Sequence, residues 1–474
     1  MKSLSFFALT LLSLSSLLHS EEKPNVLMIA IDDLNDWIGC LEGHPQAKTP
    51  NLDRLAASGI LFENAHCQSS VCNPSRSSLM TSRYPHHSGL YFLSPSYTSV
   101  KDLKSRPTIP ETFKDRGYKV MGGGKLFHNK GNSAVFNKVG TYLSTGGFGP
   151  LPPKKISPFP GHKLWDWGAY PDSDEEMPDY KLTKWAIEEL KKDHEKPFFL
   201  AAGFYRPHVP CTVPQKWLDM YPLDGIQLPK IQKNDIKDIS NYAISLTRDE
   251  HVAPTHDWVV ENHEWKKLIQ SYLASITFVD HYLGKILDAL ERSKYKDNTY
   301  IALFSDHGFH MGEKSRWAKR SLWEDGTRVP LMITGPNIQA GRSKKPVELV
   351  DIYPTLLDLC KLPTNELELD GQSLKPLLQN PNADWKHMAI SEFGPKNITV
   401  RSEHYRYITY RDGSEEFYDL RKDPHEWNNL ANLPEIQPLI KKHRAHLPKN
   451  YAECSPGNST GHKAFEAASV YIKK

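Results

Sequence analysis

Six cysteines in 474 residues are too few for a disulfide framework. Their spacing fits no zinc motif, because Cys67 and Cys72 have no second matching pair. Charge of neither sign dominates: 59 Lys and Arg stand against 56 Asp and Glu, with no basic block, so a nucleic-acid footprint is excluded. No apolar run beyond residue 20 is long enough for a membrane span, and there are no internal repeats. Glycine is scarcer than proline, 28 against 35, which suits long ordered loops. With 39% hydrophobic and 24% charged residues, the chain is an enzyme-sized globular protein rather than a disordered one.

The N-terminus has the pattern of an export signal. Lys2 precedes an uncharged stretch, Leu4 to Leu18, and Glu21-Glu22 follow. Cleavage after Ser20 is expected, with a periplasmic or secreted destination, and no cysteine follows to carry a lipid. Setting Cys72 aside leaves five cysteines, so at least one stays unpaired, and the pairing of the rest is open.

Four short apolar runs read as buried strands: Asn25–Ile31, Tyr118–Met121, Phe198–Phe204 and Tyr300–Phe304. Helical patterns lie between them, opening at Thr49-Pro50 and running over His263–Ser293 and Leu349–Leu359. This alternation predicts an α/β fold, a large mostly parallel sheet with helices on both faces. Residues 131–180 lack periodicity and read as a loop insertion, its acidic Asp172–Glu176 run being solvated. Beyond Gly371, short aromatic-rich stretches (Ile398–Val400, Tyr405–Tyr410, Glu416–Tyr418) predict a smaller antiparallel-sheet subdomain, followed by a basic helix over Pro434–His446. The expected division is a signal peptide over 1–20, a catalytic domain over 21–370 and a C-terminal subdomain over 371–474.

Each predicted strand runs into chemistry. Asn25–Ile31 leads to Asp32-Asp33, Tyr118–Met121 to Lys125 and His128, Phe198–Phe204 to Arg206-Pro207-His208, and Tyr300–Phe304 to Asp306-His307. Sites in open α/β sheets lie beyond the carboxyl ends of the strands. One such segment has an ordinary explanation, such as Asp-Asp capping a helix. Four together put carboxylates, imidazoles and a lysine on one rim.

Cys72-Asn73-Pro74-Ser75-Arg76, continued by Met80-Thr81-Ser82-Arg83, resembles the maturation signature of the type I, formylglycine-dependent sulfatases of the alkaline-phosphatase-like superfamily. That signature is Cys-x-Pro-x-Arg with a Leu-Thr-Gly-Arg-like tail. The resemblance extends to Asp32-Asp33, Thr49-Pro50-Asn51-Leu52-Asp53, Gly124-Lys125, Ser305-Asp306-His307-Gly308, Gly312-Glu313, Val329-Pro330-Leu331 and Phe417-Tyr418-Asp419-Leu420. Gly124-Lys125-Leu126-Phe127-His128, Arg206-Pro207-His208-Val209-Pro210 and Trp317-Ala318-Lys319 are similar to iduronate-2-sulfatase-like members. Lys314 departs from the pattern, where a histidine is common.

The resemblance implies that a formylglycine-generating maturation enzyme oxidises Cys72 to formylglycine. The hydrated aldehyde has two hydroxyls: one attacks sulfur, and the other expels sulfate and restores the aldehyde. A thiol has no second hydroxyl and would stall. A divalent metal is implied as well, held by Asp32, Asp33, Asp306, His307 and residue 72. Three carboxylates suit Ca2+, or less well Mg2+, whereas an imidazole is unusual for calcium. Arg76 and Lys125 would hold the hydroxyls, with His128 as base. Lys125 and Lys319 would clamp the sulfate oxygens, and His208 would serve the leaving group. The implied substrate is a sulfated carbohydrate, an oligosaccharide from a sulfated polysaccharide.

Trp165, Trp167, Arg401, His404, Tyr405 and Arg406 are candidates to grip the sugar, although aromatics in such stretches are more often core. His310, His86 and His87 read as rim or structural histidines. Asn397-Ile398-Thr399 and Asn458-Ser459-Thr460 are glycosylation sequons. Two other functions fit parts of the pattern: a phosphodiester or phosphonate monoester hydrolase of the same superfamily, and a non-catalytic sulfated-glycan-binding protein. The complete charged set argues against the second.

Overall fold

A computed structural model describes residues 23–129, 133–141, 147–247 and 252–472. The export signal expected over residues 1–20 lies outside the described residues. Eight strands form the central sheet: β1 Asn25–Asp32, β2 Ile60–Phe62, β3 Lys119–Gly124, β4 Lys138–Val139, β5 Phe198–Pro207, β6 Thr299–Ser305, β7 Leu331–Thr334 and β8 Gly341–Ser343. Their order is β8-β2-β7-β6-β1-β5-β3-β4, and only β7 runs antiparallel to its neighbours.

β1 is central and buried throughout. Because side chains alternate along a strand, Leu27, Ile29 and Ile31 enter one apolar cluster while Val26, Met28 and Ala30 enter another. The first cluster is roofed by helices α1 Pro50–Ala56, α3 Pro178–Leu190 and α4 Trp265–Glu291. The second is roofed by α2 Cys72–Thr81 and α5 Ile352–Leu359. Both faces are therefore dry, which is why the four strands read as unbroken apolar runs.

α4 also holds α1 in place. Asp280 accepts hydrogen bonds from the backbone N–H of Leu52 (2.7 Å) and Asn51 (3.1 Å) and from the Asn51 amide (2.8 Å), so a buried carboxylate caps the helix N-terminus. Burial pushes its pKa up to about 6, against the pull of those hydrogen bonds. A carboxyl raised in the folded state contributes stability that is fully present below its unfolded pKa of about 3.9 and is lost as pH rises through the folded value. Between about pH 4 and about pH 7, Asp280→Asn should therefore gain on the order of 2 kcal/mol relative to wild type. Urea melts at several pH values measure this; parallel stability–pH curves would contradict it.

The second sheet is antiparallel, with strands Ala389–Glu392, Ile398–Arg401, Tyr405–Thr409 and Glu415–Asp419 in that order. Ala389–Glu392 was not legible as a strand, being too short for its alternation to stand out. Leu374, Leu377 and Leu378 still pack into the main core. One face of the small sheet, with Ile408 and Tyr418, packs on Val71, Leu322 and Trp323. The other carries Val400, Tyr407 and Phe417 against Ile440 of the basic helix, observed over Gln437–Arg444.

Two expectations are corrected. The acidic run is not simply solvated: Asp174 is buried, accepting from Trp217 Nε1 (2.9 Å) and Tyr282 Oη (2.6 Å) and pairing with Lys216 (2.7 Å). The Tyr282 bond ties the loop insertion to α4, and those to Trp217 and Lys216 tie it to the short helix Gln215–Leu218. The Asn397 sequon is closed to glycosylation, because Asn397 is fully buried, donates to the Phe393 carbonyl (3.0 Å) and accepts from the Arg411 N–H (3.0 Å).

Candidate active site

The site forms where the carboxyl ends of β1, β3, β5 and β6 meet the N-terminus of α2. At Asp32 the β1–β5 register shifts, and Asp33 turns into the left-handed region (φ 61°), so the two carboxylates leave the strand in different directions. Gly124 ends β3 at φ 75°, where a Cβ would stand 1.9 Å from the Gly203 carbonyl oxygen; only glycine lets the chain turn there and deliver Lys125. Cys72 is the first residue of α2, whose ten residues are all buried. Ser82 closes that helix at φ 45°, a conformation that favours glycine. Its hydroxyl donates to the Val350 carbonyl (2.9 Å) and accepts from the Gly371 N–H (3.0 Å), which accounts for serine in the tail of the signature.

The Cys72 sulfur sits among cations. Lys319 Nζ is 3.2 Å away, Lys125 Nζ 3.6 Å and His307 Nε2 3.2 Å, and His128 lines the same cavity as the thiol. Burial would raise the thiol pKa, but Lys125, Lys319 and His307 outweigh it and hold it well below the usual value. This position therefore favours an anionic atom. Arg76 lies behind the sulfur and reaches carboxylates: Nε to Asp306 Oδ2 (2.7 Å) and Nη2 to Asp32 Oδ1 (3.3 Å), with Nη1 on the Lys125 and Leu126 carbonyls. Its hydrogen bonds go to those groups. Lys125 pairs with Asp32, and Lys319 with Asp33 Oδ1 at 2.6 Å.

Asp32, Asp306, His307 and Cys72 present ligand atoms that all lie within 4.8 Å of one another. Asp33 joins them, its Oδ1 lying 3.3 Å from His307 Nε2, while its buried Oδ2 has no hydrogen-bond partner. Burial pushes Asp32 up despite Lys125. Burial also works against Asp306, but Arg76 outweighs it and holds that acid well below the usual range. His307 Nδ1 lies 3.0 Å from the Gly308 carbonyl, which fixes a proton there and turns Nε2 toward the carboxylates. Burial disfavours charging His307, yet Asp306 outweighs it and raises the pKa to about 9, so a cation entering the site would displace a proton. The orphaned oxygen and the oxygen-rich donor set fit a hard divalent cation.

Above Cys72 opens a cavity of about 360 Å³, lined by Asp33, His128, His208 and Lys319 and walled by Phe148, Trp165 and Phe309 among others. His208 stacks on Phe148 (4.6 Å between centroids) and has Nε2 3.7 Å from Asp33 Oδ2. Burial lowers its pKa to about 4.

Of the six residues expected to grip a sugar, only Trp165 lines this cavity. Trp167 is core, donating to Glu264 (2.8 Å). Arg401 (3.1 Å) and Arg406 are bound to Glu324, and Arg406 also pairs with Glu426 (2.6 Å). His404 and Tyr405 line a different cavity, beside the small sheet. Phe148, Phe309, Arg316 and Arg320 line the catalytic cavity but were not singled out from sequence. Phe309, directly after Asp306-His307-Gly308, and Arg316 and Arg320, on either side of Trp317-Ala318-Lys319, carried a positional signal; Phe148 carried none. His86 and His87 bind Glu392 (2.5 Å) and Asp370 (2.7 Å) in structural roles.

The sulfatase family model matches residues 24–362, and a C-terminal model of N-sulphoglucosamine sulphohydrolase matches residues 312–453. A protein named sulfatase from Formosa agariphila is 43% identical over 447 residues, 91% of this chain and 87% of its own. Iduronate 2-sulfatase of Mus musculus is 33% identical over 417 residues, 75% of this chain and 74% of its own. A 2-O GAG sulfatase structure has a TM-score of 0.69 at 24% identity, covering 90% of this chain and 91% of its own. The phosphonate monoester hydrolase of Agrobacterium radiobacter reaches 0.71 at 22%, covering 89% and 94%. The last two establish the fold alone. The chain belongs to the sulfatase family and is a sulfuric ester hydrolase.

Proposed function

We propose that the protein is an exported sulfatase that removes O-sulfate from short sulfated carbohydrates, using formylglycine made from Cys72 and one Ca2+. The observation that carries this reading is the placement of residue 72: first in a helix, contacted by Lys125, Lys319 and His307, beside three buried carboxylates and in the lining of a cavity that also holds His128 and His208. Relatives named for 2-O-desulfation of iduronate and of Δ4,5-hexuronate support a sulfated sugar. A cavity of about 360 Å³ with an aromatic wall suits a chain end better than the middle of a polymer.

Formylglycine would supply, as its hydrate, the attacking oxygen. Calcium held by Asp32, Asp33, Asp306 and His307 would supply charge neutralisation and Lewis acidity. The protein's own groups do the rest. Lys125 and Lys319 point their ammonium groups at residue 72 and receive the sulfate oxygens as charge builds on them. His128 removes the proton of the residue-72 hydroxyl when sulfate departs. Arg76 holds Asp32 and Asp306 in place. His208, neutral and buried at rest, gains proton affinity beside an anionic ester and donates from Nε2 to the leaving oxygen.

This last role makes a prediction. His208→Ala should lower kcat about 10²-fold or more on a sugar sulfate, whose alkoxide leaves poorly, and far less on an aryl sulfate. Equal losses on both would contradict the assignment. Trp165→Ala should raise KM on the sugar with little change in kcat, because stacking contributes binding and not chemistry.

The function is tested by assaying matured protein against aryl sulfate, aryl phosphate, phosphonate esters and a panel of 2-O-, 4-O- and 6-O-sulfated saccharides. Turnover confined to sulfate esters and highest on a sugar supports the reading; faster phosphonate cleavage overturns it. The phosphonate monoester hydrolase reading rests on shared fold and tetrahedral chemistry alone.

A further inference from the structure

A second cluster of metal-binding side chains lies outside the catalytic cavity, in the segment that follows Asp306-His307. His310 and Met311 pair antiparallel with Trp317 and Ala318 to form a short hairpin, and Lys319 follows directly. His310 is the cross-strand partner of Ala318. Whatever fixes His310 therefore fixes the backbone that presents Lys319 to the nucleophile.

His310 is wholly buried. Its Nε2 lies 2.6 Å from the Ser321 hydroxyl, while its Nδ1 has no hydrogen-bond partner. That unpartnered nitrogen points at Asp325, 3.7 Å from Oδ2. Glu313 completes the group, and one ligand atom from each of the three lies within 4.8 Å of the others. The tautomer that donates from Nε2 to Ser321 would leave the Nδ1 lone pair facing the two carboxylates.

Charge points the same way. Among the described residues no lysine or arginine pairs with Glu313 or Asp325. Asp36 is taken by Arg328 (3.0 Å), and Glu324 and Glu426 by Arg401 and Arg406. The cations nearest His310 are turned elsewhere: Lys314 to Asp235 (2.8 Å) and Arg316 to the Lys319 carbonyl (3.0 Å). Burial raises Asp325, with neighbouring acids adding to it, and lifts Glu313 to about 7 against the hydrogen bond its Oε2 accepts from the Met311 N–H (2.6 Å). The pair needs protons or a cation. Asp325 is 36% exposed, which leaves a path for an ion to enter.

We propose that His310, Glu313 and Asp325 bind a second divalent cation, of the Zn2+ or Mn2+ class, which fastens the hairpin that presents Lys319. One imidazole and two carboxylates suit a borderline metal better than Ca2+. The 3.7 Å separation of Nδ1 and Oδ2 is close to one edge of a coordination shell with bonds of about 2.1 Å. The Ser321 hydroxyl, 2.6 Å from Nε2, is placed to accept the outer N–H, as partners of metal-bound histidines do.

The test is metal analysis of the full chain. Protein stripped with chelator is kept in saturating Ca2+, titrated with Zn2+ and desalted, and its metals are counted by mass spectrometry. Wild type should retain about one equivalent of Zn2+, and His310→Gln and Asp325→Asn should each lose it while their Ca2+ content stays that of wild type. Zn2+ should also raise the melting temperature of wild type and leave both variants unmoved. A crystal grown with Zn2+ should show anomalous scattering between His310 Nδ1, Glu313 and Asp325. Equal Zn2+ retention in all three proteins, no retention in any, or anomalous signal only at Asp32 and Asp306 overturns the proposal.

Discussion

Cys72→Ala should lower kcat for sulfate-ester hydrolysis by about 10⁴-fold or more while leaving the fold intact. The residue-72 sulfur lies within reach of both lysines and His307, and no other nucleophilic side chain among the described residues is placed so. Truncating one small side chain in the first turn of a helix buried along its whole length should change stability by about 1 kcal/mol, the central value for single substitutions. Circular dichroism and thermal melts would therefore match wild type while turnover disappears. Cys72→Ser is the sharper companion: it keeps a hydroxyl but not two on one carbon. It should release at most one equivalent of the desulfated alcohol per chain, keep the sulfate as an ester on residue 72, and then stop. Sustained turnover by either variant would contradict the mechanism.

Arg76→Met is expected to be the most destabilising single change at the site. Its guanidinium lies between Asp32 and Asp306, wholly buried, and also satisfies two backbone carbonyls. Removing one partner of a buried ion pair leaves an uncompensated charge, at a cost of about 3–5 kcal/mol. Asp306, which Arg76 holds low, would then take up a proton at much higher pH. Saturating Ca2+ should restore part of the loss, since a cation neutralises the same carboxylates. The measurement is a pair of denaturation curves, chelated and calcium-loaded. A chelated variant as stable as wild type would show that Arg76 does not balance these acids.

Much of the central sheet was legible in the sequence because its strands are buried on both faces. Asn25–Ile31 and Tyr300–Phe304 contain no polar residue beyond Asn25 and Tyr300, so the apolar runs needed no arbitration. Likewise α4 could be bounded to within a few residues, because its apolar stripe is long. The short strands Ile60–Phe62 and Leu331–Thr334 stayed hidden: their pairing is fixed by contacts distant in sequence, not by local pattern.

The proposed site was legible for a different reason. Its residues follow strand ends, so one geometric rule gathers Asp32, Lys125, His208 and Asp306. The cavity walls follow no such rule. Phe148 and Trp165 come from an insertion without periodicity, held by Asp174 through bonds to Trp217 and Tyr282. Arg401 and Arg406 misled because a cation near aromatics looks the same in sequence whether it faces a ligand or a buried carboxylate; Glu324, some eighty residues away, decides it. Arg76 was correctly placed beside residue 72, but its direction depended on which acids the fold brought within reach.

The central claim is that residue 72 acts as formylglycine. It is tested most directly by mass spectrometry of the tryptic peptide containing Cys72, from protein purified from its own host in a sulfatase-active state. The account predicts an aldehyde in place of the thiol, in a fraction that rises with specific activity across preparations. Active protein whose residue 72 is entirely unmodified thiol would contradict it.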